Sequence, residues 1–323
     1  MIRVFSMFTG IGAYERALQN IGVNYELVGY CEIEDKRNKA YQLLHKVTQD
    51  KNHGDVTTLD TSEIEDFDLL TYSPPCVSFS VAGKQEGMKD VRGTLFYNAL
   101  KVIQDKHPKY CVMENVDNLA IKFKEDFNLM LDSLDKAGYN NYWKIINAKD
   151  FLPQNRNRVY LVSIRKDIDD KTFEFPIGED TRYWWEFINP YETRELTGSQ
   201  KRKIDYVKGL NPTETVNIEG KPQFDKAIIT LRTSGLRFQN NREHPTITAA
   251  YGRGGGNFTM LAYNGHIGGI TPRQCFKLMG FEYEDADLLK ANGFSVSSLY
   301  EMSGRTVVVP VLEGIFKNLL KEE

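Results

Sequence analysis

The stretch Tyr72-Ser73-Pro74-Pro75-Cys76-Val77-Ser78-Phe79-Ser80 decides the fold. It follows an apolar run at 67–70 whose pattern is typical of a buried strand. Because two consecutive prolines supply no backbone donors, the strand ends there and the chain presents Cys76 on a loop. The carboxyl ends of strands are where open α/β sheets bind ligands, so this thiol is a candidate nucleophile. A buried apolar cysteine is the commoner case, and the stretch taken alone favours it.

The composition is that of an ordinary globular chain of 323 residues, with 41% hydrophobic and 26% charged residues. This length allows one large domain and a smaller one. The four cysteines show no C-x-x-C spacing and the five histidines do not cluster near them, so we predict neither a metal site nor a disulfide framework. The N-terminus is broken too soon by Gly10 for a signal peptide, and no apolar run approaches membrane-spanning length. We therefore expect a cytoplasmic protein without a membrane partner.

Charge is distributed unevenly along the chain. The net charge is −3, but residues 194–260 hold eleven Lys and Arg against six Asp and Glu, a net +5 that leaves −8 for the remainder. A basic segment inside an acidic protein is a weak indication of a polyanionic partner. A solvated loop face has the same composition, so charge alone does not separate these two interpretations.

The N-terminal segment predicts a nucleotide-binding turn. A strand over 2–8 is followed by Phe8-Thr9-Gly10-Ile11-Gly12-Ala13 and then by a helical pattern. The strand at 27–32 ends in Glu32, 22 positions after Gly10, which suits the hydroxyls of a ribose. The third glycine of a dinucleotide fingerprint would fall at Glu15, whose charge competes with a pyrophosphate at the helix N-terminus. A phosphate-free nucleoside cofactor fits better, foremost S-adenosylmethionine, and a glycine turn without a ligand remains the alternative.

Polar residues at two further points extend this candidate site. Asp55 follows a glycine and is placed to accept the amine of an adenine, although capping a turn is the commoner role of a loop aspartate. The strand at 110–116 ends in Glu114 and Asn115, which puts Glu114 on the same sheet edge as Cys76. A strand-end glutamate is more often a solvated polar cap, but the neighbouring candidate nucleophile favours a functional interpretation.

A pair of arginines precedes the last strand of this region. Arg156 and Arg158 are spaced by two residues, so in an extended segment their side chains share one face. Two adjacent guanidinium groups suit a phosphate or a carbonyl oxygen. A pair of surface arginines with no ligand is the alternative.

The order of these elements resembles the DNA cytosine-5 methyltransferases over nearly the whole chain. The resemblance rests on motifs in the family's order: Phe8-x-Gly10-x-Gly12, Pro74-Pro75-Cys76 with Phe79-Ser80, Glu114-Asn115-Val116, Gln154-x-Arg156-x-Arg158, Thr246-Ile247-Thr248-Ala249 and a helix at 273–281. It implies an α/β fold with a Rossmann-like S-adenosylmethionine-dependent methyltransferase domain over 1–166 and 271–323. Residues 167–270 would form a second, smaller and irregular target-recognition domain.

The resemblance also implies a mechanism. The enzyme would move a methyl group from S-adenosylmethionine to C5 of a flipped-out cytosine in a short specific sequence of double-stranded DNA. Cys76 would add to C6 of the ring, and Glu114 would protonate or hydrogen-bond N3. Arg158 would hold the carbonyl oxygen of the base, and Arg156 would bind a phosphate or the loop.

The same resemblance assigns two sets of binding residues. The cofactor pocket would be lined by Phe8, Gly10, Ile11, Gly12, Glu32, Ile33, Asp55, Val56, Pro75, Leu95 and Thr306. The DNA would be contacted by Ser80, Lys84, Gln154 and Thr246. Three positions depart from the family's pattern: Ala13 replaces a glycine, Val77 a glutamine and Arg305 an asparagine.

The sequence has three alternative interpretations. An RNA cytosine-5 methyltransferase of the tRNA type shares the catalytic set, but its Cys-Phe-Thr signature is absent from this sequence. An idle DNA-binding relative is disfavoured by the intact catalytic set, and a dinucleotide oxidoreductase by Glu15. We expect the compact bacterial or phage type without an N-terminal regulatory region, acting as a monomer in restriction–modification, with a partner endonuclease, or in evasion of host restriction.

Overall fold

The computed structural model describes residues 1–75, 95–198, 200–202, 226–232, 235–239, 241–253 and 258–320. The chain divides into two compact units. The first comprises Met1–Ala148, Asn157–Gly178 and Val307–Glu323, and the second comprises Lys149–Arg156 and Glu179–Thr306.

The strands of the described residues fall into three sheets. In chain order they are β1 (Ile2–Met7), β2 (Tyr25–Cys31), β3 (Leu69–Tyr72), β4 (Tyr110–Val116), β5 (Tyr139–Asn147), β6 (Gln154–Asn155), β7 (Asn157–Arg165), β8 (Ala227–Arg232), β9 (Gly235–Gln239), β10 (His244–Pro245), β11 (Phe258–Tyr263) and β12 (His266–Gly269). The first unit holds a six-stranded sheet in the order β2-β1-β3-β4-β7-β5. In the second unit, β10 pairs with β6, and a four-stranded sheet has the order β12-β11-β8-β9.

Helices connect most of these strands. In chain order they are α1 (Ala13–Asn20), α2 (Asp35–His45), α3 (Leu95–Lys106), α4 (Asn118–Ile121), α5 (Lys124–Lys136), α6 (Trp184–Phe187), α7 (Pro272–Lys277), α8 (Tyr283–Ala291), α9 (Val296–Arg305) and α10 (Val309–Leu319). No helix in the described part of the chain is both long and apolar enough to cross a membrane.

The six-stranded sheet is parallel except for one strand. β1 to β4 pair in parallel, and β7 runs antiparallel to both β4 and β5. Parallel strands with helical connections are buried on both faces, which is why β3 is fully buried along its length. The strand predicted at 110–116 matches β4, and the apolar run at 67–70 and the strands predicted at 2–8 and 27–32 match β3, β1 and β2 with bounds shifted by at most two residues.

The C-terminal helix α10 belongs to the first unit. The rings of Tyr14 and Phe316 lie 6.4 Å apart, and Asn20 Nδ2 donates to Glu313 Oε1 at 2.6 Å. Both ends of the described chain are thus packed into one unit.

The second unit is more regular than the sequence analysis predicted. Its antiparallel sheet has a buried cluster that includes Ile229 and Met260. Cys275 and Tyr300, from α7 and α9, are buried in this same cluster. The compact unit therefore includes 271–306, which the sequence analysis placed with the catalytic domain. The functional names of the two domains remain predictions.

Candidate active site

The carboxyl edge of the six-stranded sheet collects the segments that follow four parallel strands. These are the segments after Met7, Cys31, Tyr72 and Val116. Antiparallel β7 enters the sheet at this same edge, where Arg158 pairs with Val116 across the strands. The topology thus brings the first residues of β7 beside the last residues of β4.

The turn after β1 has a backbone that few residues adopt. Phe8 has φ of 58°, and Gly10 and Gly12 have φ of 59° and 80°. A left-handed conformation is strained for a phenylalanine, and such strain concentrates at functional sites. At Gly12 a Cβ atom would lie 2.1 Å from His45 Nε2, so this glycine is also required by space.

His45 fixes the same turn from the end of α2. Its Nε2 lies 3.0 Å from the carbonyl oxygen of Ile11, which can only accept, so Nε2 carries the hydrogen. Burial lowers the pKa of His45 from 6.5 to about 4, so the ring is neutral near pH 7. No local pattern in the sequence indicates this role of His45, because its contact with Ile11 spans 34 positions.

Glu32 is held at the end of β2 by several donors. Its Oε2 accepts from the Gly10 amide at 2.9 Å, and its Oε1 accepts from the Glu34 amide at 2.9 Å and from Arg37 Nε at 3.1 Å. Each carboxylate oxygen has two lone pairs, so Oε2 retains capacity for a ligand hydroxyl. The next residue, Ile33, exposes 65% of its surface and offers an apolar face beside this carboxylate.

Asn52 joins β2 to the loop that contains Asp55. Its Nδ2 donates to the Glu32 carbonyl at 3.0 Å, and its Oδ1 accepts from the amides of Glu32 and Gly54 at 3.1 and 3.0 Å. Asp55 Oδ1 accepts from the Thr57 amide at 2.9 Å, so this side chain does cap a turn. Val56 is buried. The contacts of Asn52 with Glu32 span 20 positions, so no local pattern in the sequence indicates them.

Side chains from α1 and from β4 bind the end of β3 and the turn that follows it. Tyr14 Oη lies 2.8 Å from Ser73 Oγ and 3.2 Å from the carbonyl oxygen of Tyr72. Asn115 Nδ2 donates to the Pro74 carbonyl at 3.2 Å. Pro75, a predicted cofactor residue, is exposed. Three predicted site residues lie outside the described residues: Cys76, Ser80 and Lys84.

Glu114 and Arg158 form an ion pair at the carboxyl edge. Arg158 Nε lies 3.1 Å from Glu114 Oε1, and the Glu114 side chain is only 9% exposed. Arg158 Nη1 also donates to the Asn157 carbonyl at 2.6 Å. The structure therefore brings together two of the predicted catalytic residues, on the edge that also carries the glycine turn and Glu32.

Arg156 has different surroundings from those the sequence analysis predicted. The extended segment is not continuous, because β6 ends at Asn155 and β7 begins at Asn157. Arg156 is 4% exposed and lies in the second unit. Its Nη1 donates to the carbonyl oxygens of Ile247 at 3.0 Å and Gly304 at 3.4 Å, and its Nη2 to that of Thr306 at 3.0 Å. Arg156 thus binds main-chain carbonyl groups, and its predicted contact with a phosphate or the loop stays a prediction.

The predicted DNA contacts Gln154 and Thr246 are likewise bonded to main chain. Gln154 is fully buried; its Nε2 donates to the Leu278 carbonyl, and its Oε1 accepts from the Ile247 amide at 3.1 Å. Thr246 Oγ1 donates to the Asn155 carbonyl at 2.6 Å. These contacts connect β6 to the segment after β10 within the second unit.

The remaining predicted pocket residues are divided between the two units. Leu95 packs against the core of the first unit, and Ile11 is buried there. Thr306 is buried in the second unit. In the described ranges no group of three or more His, Cys, Asp or Glu side chains is arranged to hold a metal ion.

A family model described as C-5 cytosine-specific DNA methylase matches residues 2–321. The chain belongs to this family. Among its relatives are the orphan methyltransferase M.SPRI of Bacillus phage SPR, 29% identical over 99% of this chain and 97% of the relative, and the type II methyltransferase M2.ScrFI of Lactococcus lactis subsp. cremoris, 30% identical over 100% of both. Among solved structures, the methyltransferase EhMeth of Entamoeba histolytica has a TM-score of 0.70 at 19% identity and covers 100% of this chain and 99% of its own.

These similarities confirm the family, the fold class, the activity and the cofactor that the sequence analysis predicted. The protein is a DNA cytosine-5 methyltransferase whose methyl donor is S-adenosylmethionine. The two curated relatives named above are phage and bacterial methyltransferases. The roles of individual residues of this methyltransferase stay predictions.

Proposed function

We propose that this methyltransferase methylates C5 of a cytosine flipped out of double-stranded DNA, through a covalent bond between Cys76 and C6. The observation that carries the proposal is the ion pair between buried Glu114 and partly exposed Arg158, 3.1 Å apart, on the sheet edge at which β3 ends before Cys76. The glycine turn and Glu32 occupy this same edge. Cys76, Glu114 and the predicted cofactor pocket would therefore lie close enough together to act on one base.

The residues of the predicted cofactor pocket fit S-adenosylmethionine. Glu32 is fixed by the Gly10 amide and retains lone pairs for ribose hydroxyls. Ile33 offers an exposed apolar face that an adenine ring would cover. Glu15 points into the protein, where Ser6 Oγ donates to it, so its carboxylate is buried beneath the turn. When bound, S-adenosylmethionine supplies an electrophilic methyl group.

The chemistry of the base requires a nucleophile and a proton donor. The thiolate of Cys76 forms a bond to C6, and the electron pair of the C5–C6 double bond becomes available at C5 for the methyl group. Loss of the C5 proton then restores the double bond and expels the thiolate. A donor at N3 lowers the energy of the adduct because its proton takes up the developing negative charge, and Glu114 would fill this role in its protonated form.

Arg158 is placed to serve both Glu114 and the base. A guanidinium group has five N–H donors, and the contacts with Glu114 and Asn157 engage only some of them. Arg158 would hold Glu114 through Nε and the carbonyl oxygen of cytosine through another nitrogen. The base must leave the stack for these contacts to form, because neither C5 nor C6 can be attacked within a duplex.

Arg156 and Gln154 act as positioning residues in this proposal. Both are buried and bind main-chain groups of the second unit. Residues 167–270 would recognise a short DNA target, and the net charge of +5 over 194–260 favours contact with a polyanion. We further propose that the enzyme acts as a monomer in restriction–modification, beside an endonuclease of the same specificity.

The test is methylcytosine sequencing of plasmid from cells that express the protein, with a Cys76→Ala variant as control. Protected cytosines in one recurring context, absent from the control, would support the proposal and identify the target. A second assay uses a duplex with 5-fluorocytosine at that target, because fluorine cannot leave C5 as a proton does and the adduct accumulates. Protection that persists in Cys76→Ala would contradict the covalent mechanism, and protection of RNA alone would contradict the DNA substrate.

A further inference from the structure

Tyr14 is a buried tyrosine that connects two parts of the candidate site. It is the second residue of α1, directly after the glycine turn, and is 3% exposed. Its hydroxyl oxygen lies 2.8 Å from Ser73 Oγ and 3.2 Å from the carbonyl oxygen of Tyr72. One hydroxyl therefore joins α1, the helix after the glycine turn, to the end of β3.

The direction of these two hydrogen bonds follows from the groups involved. The Tyr72 carbonyl can only accept, so Tyr14 donates to it and accepts from the Ser73 hydroxyl. Burial raises the pKa of Tyr14, and the nearby charge of Glu114 raises it further, so the hydroxyl keeps its proton. Tyr14 is thus a neutral donor and does not act as a base.

A second anchor holds the chain after Ser73, two residues before Cys76. Asn115 Nδ2 holds the Pro74 carbonyl from the side of β4, next to Glu114. Proline fixes its φ angle, so a chain held at Tyr72, Ser73 and Pro74 has few rotatable bonds before residue 76. The two anchors, Tyr14 and Asn115, therefore define where the chain leaves the sheet.

We propose that the Tyr14 hydroxyl is a positioning group that fixes the turn after β3 relative to the glycine turn after β1. Its two hydrogen bonds go to Ser73 and Tyr72, and it acts through them. The inference rests on the proposed function, because it requires Cys76 as the nucleophile. Its consequence is that loss of the hydroxyl slows methyl transfer while the affinity for S-adenosylmethionine is retained.

The experiment removes the contact from each side. Tyr14→Phe keeps the ring and deletes the hydroxyl, and Ser73→Ala deletes the partner. Tyr139→Phe is the matched control: this tyrosine is also fully buried, and its hydroxyl donates to the Pro108 carbonyl at 2.7 Å at the opposite edge of the sheet. For each variant we would measure the single-turnover rate of methyl transfer, the Kd for S-adenosylmethionine and the Tm.

We expect Tyr14→Phe and Ser73→Ala each to slow single turnover by about 10-fold, because small displacements of a reacting group are costly in rate. The Kd should stay within about twofold, since the hydroxyl contacts only protein. The double variant should be no slower than the slower single variant, because both changes remove one contact. Tyr139→Phe should lower the Tm to a similar degree and leave the rate unchanged.

Two results would overturn the inference. One is a wild-type rate in both Tyr14→Phe and Ser73→Ala; the other is an equal loss of rate in Tyr139→Phe, which would make the effect one of general stability. The 5-fluorocytosine duplex separates this failure from failure of the proposed function. If the wild-type protein forms no adduct, the covalent mechanism itself is wrong; if it forms the adduct and the variants keep their rates, only the role of Tyr14 is wrong.

Discussion

The charged groups at the two edges of the six-stranded sheet differ in burial. At the amino edge, charged side chains pair near solvent: Arg3 Nε lies 3.4 Å from Glu26 Oε2, and Lys109 Nζ lies 3.0 Å from Asp68 Oδ1. At the carboxyl edge, Glu32 and Glu114 are buried; Glu32 accepts from the Gly10 amide, and Glu114 pairs with Arg158. The charges of the amino edge are therefore shared with solvent, and those of the carboxyl edge depend on a few protein donors.

This difference has an energetic consequence. Exposed ion pairs contribute about 0–1 kcal/mol each, so the amino edge tolerates substitution. A buried group that loses its partner costs more, about 1–3 kcal/mol for a neutral one. We therefore expect changes of the buried charged groups at the carboxyl edge to affect catalysis, cofactor binding or folding, and matched changes of exposed charged side chains at the amino edge to affect none of them strongly.

The largest expected effect is that of Glu114→Gln. An amide at this position cannot transfer a proton to N3, so single-turnover methyl transfer should slow by about 10²–10⁴-fold. The Kd for S-adenosylmethionine should change little, because Glu114 is proposed to act on the base, together with its partner Arg158. Glu26→Gln at the amino edge is the control and should keep the wild-type rate. Equal losses of rate and of cofactor affinity in Glu114→Gln would show that this residue is structural.

The next effect is the pH dependence of stability through His45. The folded-state pKa is lowered from 6.5 to about 4, so the unfolded chain binds a proton that the folded chain does not. Stability from neutral His45 is therefore present above pH 6.5 and is lost as the pH falls towards 4, by at most about 3 kcal/mol.

The measurement is the Tm of wild-type and variant proteins between about pH 7 and pH 5, where this linkage acts. His45→Gln removes the titration and keeps an N–H donor for the Ile11 carbonyl, so its Tm should fall less steeply with acid than that of the wild type. His107→Asn is the control near the amino edge, because asparagine tolerates the φ of 47° found there. Parallel curves for the wild type and His45→Gln would contradict the assignment.

The smallest expected effect is that of Glu32→Gln on cofactor binding. The amide weakens the charge-assisted bonds to the Gly10 amide and Arg37 and to a ribose, so the Kd should rise by about 10-fold. The rate at saturating cofactor should stay close to that of the wild type. Glu65→Gln, which removes an exposed partner of Arg3, is the control in the same titration calorimetry. An unchanged Kd for Glu32→Gln would show that this residue does not bind the cofactor.

Local patterns predicted much of the first unit. Buried runs and glycine or proline breaks marked β1, β3 and β4, and strand ends pointed to Glu32 and Glu114, because a parallel sheet puts its carboxyl ends on one edge. Tyr14 and Asn52 were missed because their partners lie 59 and 20 positions away, and no local pattern encodes such pairs.

The second unit was harder to predict for a related reason. Its antiparallel sheet pairs β8 with β9 and β11, whose contacts depend on long-range packing. Arg156 and Arg158 were expected on one face, but the chain leaves one sheet and enters another between them. A spacing of two residues implies a shared face only within a continuous strand.

The three carbonyl contacts of Arg156 bear on how this sequence can vary through evolution. Every amino acid carries the main-chain oxygen that the guanidinium binds at positions 304 and 306. The side chain between them, Arg305, pairs instead with Glu301 at 2.9 Å, so an exchange of asparagine for arginine leaves these bonds intact. Gly304 has no such latitude, since a Cβ there would lie 2.2 Å from the Ala249 amide nitrogen. We therefore expect these two adjacent positions to differ strongly in the substitutions that they tolerate.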